Sequence, residues 1–404
     1  MEEQTKRHCM VVHAYYPLGE VRVQREAEAL IDFGYQVDVI CLRLPGESAQ
    51  DCYNGVNIFR LPVRRHKGKG IGVQFIEYVH FFIWVFFKLT SLHIKHRYDV
   101  VQVHNPPDFL VFAALIPKLS GTSIILDLHD LMPEFFSCRF NGSSDRLLVR
   151  LMIRLVNLQE RWACRFADHV ITVTEHWRQT LIRRNVPADK TFVLMNLADP
   201  RIFKIPSQPK PRAEGQFHLI YHGSIPYRYG LDLVLRAIAQ IRAQVPEIHF
   251  TIIGGGDYMG HLRALADKLG IEEHVSFEGV LLVDELPERI VAADLGVVPY
   301  RNDVFTDELL PTKLLEYAAL GLPVIASRTM GILAYFDDTM VQFFTPGDVD
   351  DLARCILVLY QDRTRLAALA ENIERFNQRY NWETQSAEYV GLVERLVQRK
   401  QRGV

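Results

Sequence analysis

The chain has 404 residues, 49% of them hydrophobic, with 46 basic and 48 acidic side chains and a formal charge of −2. A chain of this length favours two domains over one and can bury a large core, which excludes a disordered polymer, and the balance of charge argues against a general nucleic-acid binder. The six cysteines, at 9, 41, 52, 138, 164 and 355, form no C-x-x-C pair and no Cys/His cluster with metal spacing, so neither a disulfide framework nor a structural zinc is expected and the thiols read as those of a reducing compartment.

The amino terminus, "MEEQTKRHCMVVHA", passes from mixed charge straight into a strand-like run, without a long apolar segment ending in a small-residue cleavage site; export is not expected and a cytoplasmic setting is. Short β-branched runs then recur between amphipathic stretches: "CMVVHA", "QVDVICL", "YDVVQVH", "TSIILDLHD", "DHVITVT" and "TFVLMN". Strand, helix and strand on this rhythm predict a parallel sheet with helices on both faces.

Residues 60–97 hold eight Lys or Arg against one acid, Glu77, around the aromatic run "FFIWVFF". With Gln74, Glu77, His80 and Lys88 interrupting it, the segment reads as too polar to span a bilayer. Two readings stay open: a helix lying on an anionic membrane surface, or a core helix beside a solvated basic loop. A second basic stripe follows at helical spacing, at 146, 150, 154, 161 and 165. Between them, "LDLHDLMPE" sets His129, Asp130 and Glu134 just beyond a buried strand. A lone histidine is commonly a packed or surface group, but the carboxyl end of such a strand is where α/β sheets place ligands.

The rhythm stops near Asn196 and gives way to "DPRIFKIPSQPKPRAEG", whose four prolines and mixed charge read as an interdomain linker. It resumes in "FHLIYHGS", "IHFTIIGGG", "HVSFEGV", "DLGVVPY" and "LPVIAS", and after about residue 363 the pattern is helical to the end. Two such domains joined by one linker leave a cleft at the carboxyl ends of their strands.

In "YHGSIPYRYGLDLVLRAI" a strand, a glycine turn, Arg228 and a helix follow one another; a guanidinium there suits a phosphate, although a solvated loop arginine is the commoner outcome. "IIGGGDYMG" has glycines at 254, 255, 256 and 260, which do not satisfy G-x-G-x-x-G. It reads as a turn after a strand, and hydride transfer loses its main support. No P-loop and no G-x-S-x-G motif occurs, so neither phosphotransfer nor an α/β-hydrolase nucleophile has its signature.

The stretch "DELLPTKLLEYAALGLPVIAS" carries Glu308 and Glu316 with seven residues between them. Pro311 suits the first turn of a helix and Gly321 its end, which predicts a helix from about Pro311 to Leu320. Its free amides and Lys313 favour a diphosphate, while the two acids suit sugar hydroxyls. An ordinary capped helix with solvated acids is the alternative. The D-x-D pair Asp348 and Asp350 precedes an apolar helix and reads as its cap rather than as a metal site.

Together these pieces resemble the family-4 retaining glycosyltransferases of the GT-B fold: an E-x7-E motif at Glu308 and Glu316, "EYAALGLPVIAS" after it, the "GSIPYRYG" loop, "IIGGG" and the "HD" after a first-domain strand, in the expected order over nearly the whole chain. The resemblance implies an α/β architecture of two Rossmann-like doubly wound domains facing a central cleft, with C-terminal helices crossing back to the first. Residues 1–198 would form the acceptor-side domain, 199–216 the linker, 217–375 the nucleotide-sugar domain and 376–404 the returning helical segment. It implies that Glu316 binds the ribose of a nucleotide-sugar and Glu308 the transferred sugar. Arg228 and Lys313 would hold the diphosphate, with Gly223, Ser224, Gly254, Gly279, Leu309 and Leu310 also on the donor side. His129 would sit against the sugar near the reacting carbon, and Gly19, Asp130 and Glu134 on the acceptor side. The chain departs from the common pattern in carrying Gly223-Ser224 and Tyr229-Gly230 where many members have "GR" and "KG", and a single glycine, Gly19, in the first loop.

The expected activity is transfer of a sugar from a nucleotide-sugar, a UDP-sugar favoured, to a saccharide or lipid-linked acceptor at the cytoplasmic face of a membrane, with retention and without metal or other cofactor. Fixed cations at the departing diphosphate supply the help this chemistry needs, and the two glutamates act as binders rather than as a glycosidase pair. A nucleotide-sugar epimerase on the same fold would isomerise donor alone. A non-catalytic nucleotide-sugar-binding subunit would bind donor without turnover.

Overall fold

The computed structural model describes residues 5–18, 20–66, 70–139, 146–206 and 215–401. Gly19, Lys67, Lys69, the linker residues 207–214 and the Arg146 side chain lie outside the described residues. Two compact units result, one of Met1–Met195 with Glu383–Val404 and the other of Asn196–Trp382.

The first unit runs β1 (Arg7–Val11), α1 (Val21–Asp32), β2 (Gln36–Leu42), β3 (Gln50–Tyr53), β4 (Val56–Leu61), α2 (Gly70–His96), β5 (Val100–His104), a 3-10 segment Asp108–Ala114, α3 (Leu115–Leu119), β6 (Ser123–Leu128), α4 (Met132–Arg139), α5 (Arg146–Phe166), β7 (His169–Thr172), α6 (Glu175–Arg183) and β8 (Thr191–Val193). Its eight strands are ordered β3-β4-β2-β1-β5-β6-β7-β8. All described pairs are parallel except the β3–β4 hairpin, which turns at Asn54 and Gly55, both with positive φ of 49° and 81°. Those are the backbone angles a tight two-residue hairpin demands, and Asn-Gly supplies them at low cost. The inner strands are apolar on both faces because helices cover both; β5 and β6 are buried throughout.

The second unit runs β9 (Phe217–Ser224), α7 (Leu231–Ile241), β10 (Ile248–Gly255), α8 (Met259–Leu269), β11 (Val275–Phe277), α9 (Leu286–Val291), β12 (Leu295–Val298), α10 (Thr312–Ala319), β13 (Val324–Ser327), α11 (Met330–Leu333), β14 (Gln342–Phe344), α12 (Val349–Gln361), α13 (Arg363–Asn372), α14 (Glu374–Arg379) and the first residue of α15 (Trp382–Gln401). Its six strands, β11-β10-β9-β12-β13-β14, are all parallel. The core between the sheet and α7, α8 and α12 includes Phe217, Phe250, Leu235 and Ile356, all fully buried; each such side chain stabilises the fold by about 1.5–3 kcal/mol.

The chain re-enters the first unit at Glu383, rather than at 376, because Phe376 stacks on Phe336 of the second unit at 4.5 Å. From Glu383 on, α15 packs against the first unit. The Tyr389 hydroxyl donates to Gln102 (2.7 Å), Lys6 donates to Glu394 (2.7 Å), and Val393 and Val397 are buried.

Strand order reverses between β1 and β5 in the first sheet and between β9 and β12 in the second. In open α/β sheets, ligands bind beyond the carboxyl ends of the strands at such a reversal.

Candidate active site

In the second unit the reversal brings four stretches together. β9 ends in Gly223 and Ser224, both exposed, and pairs with Gly254 and Gly255 at the end of β10. The two backbones lie so close that a Cβ on Gly254 would stand 1.9 Å from the Gly223 carbonyl oxygen, and the Gly254 φ of +133° also demands glycine. Gly254 N–H in turn donates to the carbonyl of Gly279 (2.6 Å). Gly254 and Gly255 are therefore the close-packed end of β10, and the turn expected over the three glycines begins only after Gly256.

α10 begins at Thr312, with Pro311 one position outside it in an extended conformation, so the proline precedes the helix rather than opening its first turn. The difference is a single position, and the free amides still point out of the helix start. Lys313 is buried, and its side chain lies over Gly223, where a Cβ would come within 3.8 Å of Nζ. The ammonium donates to the Tyr300 hydroxyl (2.6 Å) and sits 4.9–5.0 Å from the ring centres of Tyr221, Tyr229 and Tyr300. Tyr229 and Tyr300 stack at 4.2 Å. Burial lowers the Lys313 pKa to about 8, against a smaller raising effect of Glu316. Among the described residues no carboxylate lies at ion-pair distance from Lys313, and a cation so caged by aromatic rings suits an anion.

Arg228 stands between β9 and α7 with its guanidinium over the Phe305 ring at 5.6 Å, and it forms no ion pair among the described residues. Arg301 is the contrary case, forked onto Asp232 at 2.9 and 2.8 Å. The loop before α10 is held at both ends. Asp303 accepts from the amides of Phe305 and Thr306 (2.9 and 2.8 Å), and Asp307 accepts from Gly331 and Met330 (2.7 and 3.1 Å). Gly331 permits that contact, since a Cβ there would meet the Glu308 backbone at 2.6 Å. Glu308 is thus fixed beside Leu309 and the buried Leu310. Glu316, on α10, lies 3.2 Å from His222. Burial first, then Lys313, lowers His222 to a pKa of about 3, so the imidazole beside Glu316 is neutral rather than a cation paired with it.

In the first unit, His129 follows β6 at the edge of a buried network. Arg22, from α1, forks onto Asp127 of β6 at 3.0 and 2.9 Å and also touches Glu26 at 3.0 Å. His104, at the end of β5, lies 3.0 Å from Asp127 and 3.1 Å from His129. Burial alone would raise Asp127, but Arg22 and then His129 outweigh it and hold the carboxyl well below its usual range. Burial, and next the Asp127 charge, push Glu26 well above it. Burial lowers His104 to about 4, so its imidazole is neutral. Asn105 completes the support, accepting from the His129 amide (2.7 Å) and donating to the Asp130 carbonyl (2.7 Å).

Asp130 lines a cavity of about 300 Å³ with Arg65, Gln74, Phe75, Tyr78 and Pro106. Glu134 is instead engaged with Arg184, the residue that follows α6 and also holds Glu160 at 2.8 Å. α2 is shared between the two readings of its sequence. Against the sequence reading that this segment is too polar to span a bilayer, Gly72–His96 is long and apolar enough to do so, yet Tyr78, Phe81, Val85 and Leu89 are buried in the fold and Glu77 is buried beside His13 (3.1 Å). Its other face exposes Phe75, Ile76, Trp84 and Phe87.

Among the described residues, His104, Asp127 and His129 have ligand atoms within 4.8 Å of one another, as a metal would need. Arg22 already occupies both oxygens of that carboxylate. Asp348 caps α12, accepting from Asp351 N–H (3.0 Å). Sequence reading did not find Arg22, Asp127, His104, His222 or the tyrosine cage. The usable signals were an aspartate inside the apolar strand "SIILDL" and an arginine and a glutamate four apart in the helix after the first strand.

Residues 19–196 match the family model described as a glycosyl transferase 4-like domain, and residues 216–362 match glycosyl transferases group 1. The fold matches sucrose-phosphate synthase from Thermosynechococcus elongatus at a TM-score of 0.75 and 19% identity, over 97% of this chain and 99% of that one. The chain belongs to the GT-B glycosyltransferases. Another GT-B structure, Anabaena HepE in complex with UDP-glucose, aligns at a TM-score of 0.70 and 17% identity, over 96% and 99% of the two chains. A GDP-mannose-dependent alpha-(1-6)-phosphatidylinositol monomannoside mannosyltransferase of Mycolicibacterium smegmatis is 34% identical over 148 residues, 35% of this chain and 38% of the relative. The chain thus spans less than half the length of that curated relative.

Proposed function

We propose that this GT-B glycosyltransferase moves a hexosyl group, with retention, from a nucleoside-diphosphate sugar to a saccharide or lipid-linked acceptor in polysaccharide or glycoconjugate synthesis. The observation that carries the proposal is the uncompensated Lys313 ammonium over Gly223, next to the start of α10 and in the same unit as Arg228. Cations and amides fixed where a diphosphate departs lower the barrier without a side-chain nucleophile. Glu316, beside His222, accepts the ribose hydroxyls; Glu308, on its pinned loop, accepts those of the sugar. In this reading His129, held by Asp127 and His104, serves the transferred sugar, and the Asp130 cavity receives the acceptor.

We favour a UDP-sugar as donor, with GDP-mannose as the second arm because of the mycobacterial relative. Transfer proceeds without metal in this reading, supported by the Arg22 fork on the one carboxylate of the histidine cluster. The exposed aromatic face of α2 rests on the cytoplasmic side of an anionic membrane, where a lipid-linked acceptor is found.

The test is thermal stabilisation against UDP-, GDP-, ADP-, CMP- and dTDP-sugars without metal, followed by product analysis with and without acceptor. A shift with one nucleotide class that Glu316→Ala abolishes, together with a glycosylated acceptor, supports the reading. An isomerised donor formed without acceptor, or full binding and transfer by Glu316→Ala, sinks it.

A further inference from the structure

α5 exposes a face that the transfer reaction does not use. Leu147, Leu151, Leu155, Leu158 and Trp162 are between 46% and 79% exposed. At about 100° per residue they share an arc of roughly 80°. Arg150, Arg154, Arg161 and Arg165 are also exposed and fill the adjoining arc of roughly 60°. None of these four forms an ion pair among the described residues. The helix's one acid, Glu160, is buried and paired with Arg184 at 2.8 Å, so the outward face carries cations and apolar side chains alone.

At the carboxyl end of this face a cavity of about 440 Å³ opens, lined by Leu158, Arg161, Trp162, Arg165, Arg184 and Lys190. Its wall thus includes an indole, a leucine and four cations beside Cys164, Asn185, Val186 and Pro187, and among the described residues Arg184 alone of these cations forms an ion pair with carboxylates. α5 and α2 both pack on the segment Asp108–Ala114, through Phe112 with Phe166 (5.2 Å) and Phe109 with Phe75 (6.2 Å). The exposed faces of the two helices therefore belong to one layer of the first unit.

We propose that α5 is an interfacial helix that docks on anionic phospholipid, the leucines and Trp162 entering the acyl boundary, the arginine row meeting headgroups, and the cavity beside Trp162 taking a lipid phosphate. Charge decides the occupant. An anionic membrane supplies the counter-charge this face lacks, with apolar contact beside it, whereas a second copy would bring the same arginines and no acid. The proposal rests on the membrane-side reading of function for its purpose but not for its test, because transfer to a soluble acceptor analogue without vesicles reports on that reading separately.

The purified full chain is mixed with vesicles of phosphatidylcholine, alone or with phosphatidylglycerol, and bound protein is measured by co-sedimentation. Binding to the anionic vesicles that weakens with salt is expected. Arg150→Gln, Arg154→Gln and Arg161→Gln together lower it by roughly a hundredfold, as the exposed pair Leu151→Ser and Leu155→Ser lowers it more than tenfold, both with unchanged melting. Quenching of indole fluorescence by brominated lipid falls in Trp162→Phe. Phe87→Ser, on α2, reports the other helix and leaves that quenching difference in place. Absence of anionic-vesicle binding, or binding unchanged in the α5 variants, overturns the proposal. So does a change in oligomeric state with vesicle binding intact, which would make the face an interface between copies.

Discussion

Replacing Lys313 by Met should make the empty protein more stable and its donor binding weaker. Burial lowers the lysine from 10.5 to about 8, a difference of about 2.5 units or about 3 kcal/mol against the charged folded state. Losing the hydrogen bond to Tyr300 returns about 1 kcal/mol of that, and Met keeps a similar volume among the three rings. The net gain is about 2 kcal/mol near neutral pH, or roughly 4–8 °C in Tm for a unit of this size. The sign follows from proton counting. Between about 8 and 10.5 the unfolded chain keeps a proton that the folded one releases, so wild-type stability rises with pH across that window, and below it the penalty is fully present. Met abolishes the rise. A nucleoside diphosphate favours the ammonium, so the stabilisation it gives the wild type shrinks above pH 8 and is largely lost in the variant. Differential scanning fluorimetry across pH 6–9, with and without nucleotide, measures both effects. A variant that melts below wild type, or that keeps the full nucleotide shift, refutes the assignment of Lys313 as a strained, anion-waiting cation.

Three further outcomes are expected. Gly254→Ala, whose Cβ would stand 1.9 Å from the Gly223 carbonyl oxygen, should remove most of the nucleotide-induced thermal shift while the first unit still folds, as circular dichroism and limited proteolysis would report. His129→Gln should leave donor binding unchanged and lower transfer on the order of a hundredfold, a split visible in kcat with little change in donor affinity. Asp127→Asn should lower unfolding free energy in urea by less than breaking a buried ion pair usually costs, about 3–5 kcal/mol, because Glu26, 3.0 Å from Arg22, can ionise in its place. Adding Glu26→Gln should bring the loss to the full amount.

The alternation of strand and helix was legible because strands covered on both faces must be apolar throughout, as β5 and β6 are. The hairpin β3–β4 was missed although Asn54-Gly55 marks its turn, since its first strand, "QDCY", is exposed along its length and carries no burial pattern. In the second unit the pieces that announce themselves locally were readable as placements: the glycines at strand ends, and Lys313 and Glu316 on one short helix. The cage around Lys313 was not, because Tyr300, after β12, meets Tyr221 and Tyr229 of one earlier stretch only through the β9–β12 adjacency. The same limit hid Arg22 and Asp127, which are 105 residues apart in sequence. Glu134 shows the converse: the sequence placed it near His129, and the fold engages it with Arg184.

The way each cation is compensated separates scaffold from site more sharply than burial does. Arg22 is matched by Asp127 and Glu26, Arg184 by Glu134 and Glu160, and Arg301 by Asp232. Removing one partner of such a set strands a charge, so these arginines hold the fold. Lys313 is as buried as Arg22 and, among the described residues, contacts a phenol and ring faces in place of a carboxylate. Arg228 has a ring face, and the α5 arginines have neither acid nor ring among the described residues. Keeping a cation without its counter-charge costs stability, about 3 kcal/mol at Lys313 on the pKa shift above. A fold that tolerates such a cost beside glycine-lined strand ends gains from it only when an anion arrives. On the function proposed above, a diphosphate supplies the charge missing beside Lys313, and on the membrane proposal an anionic surface supplies that missing from the α5 face.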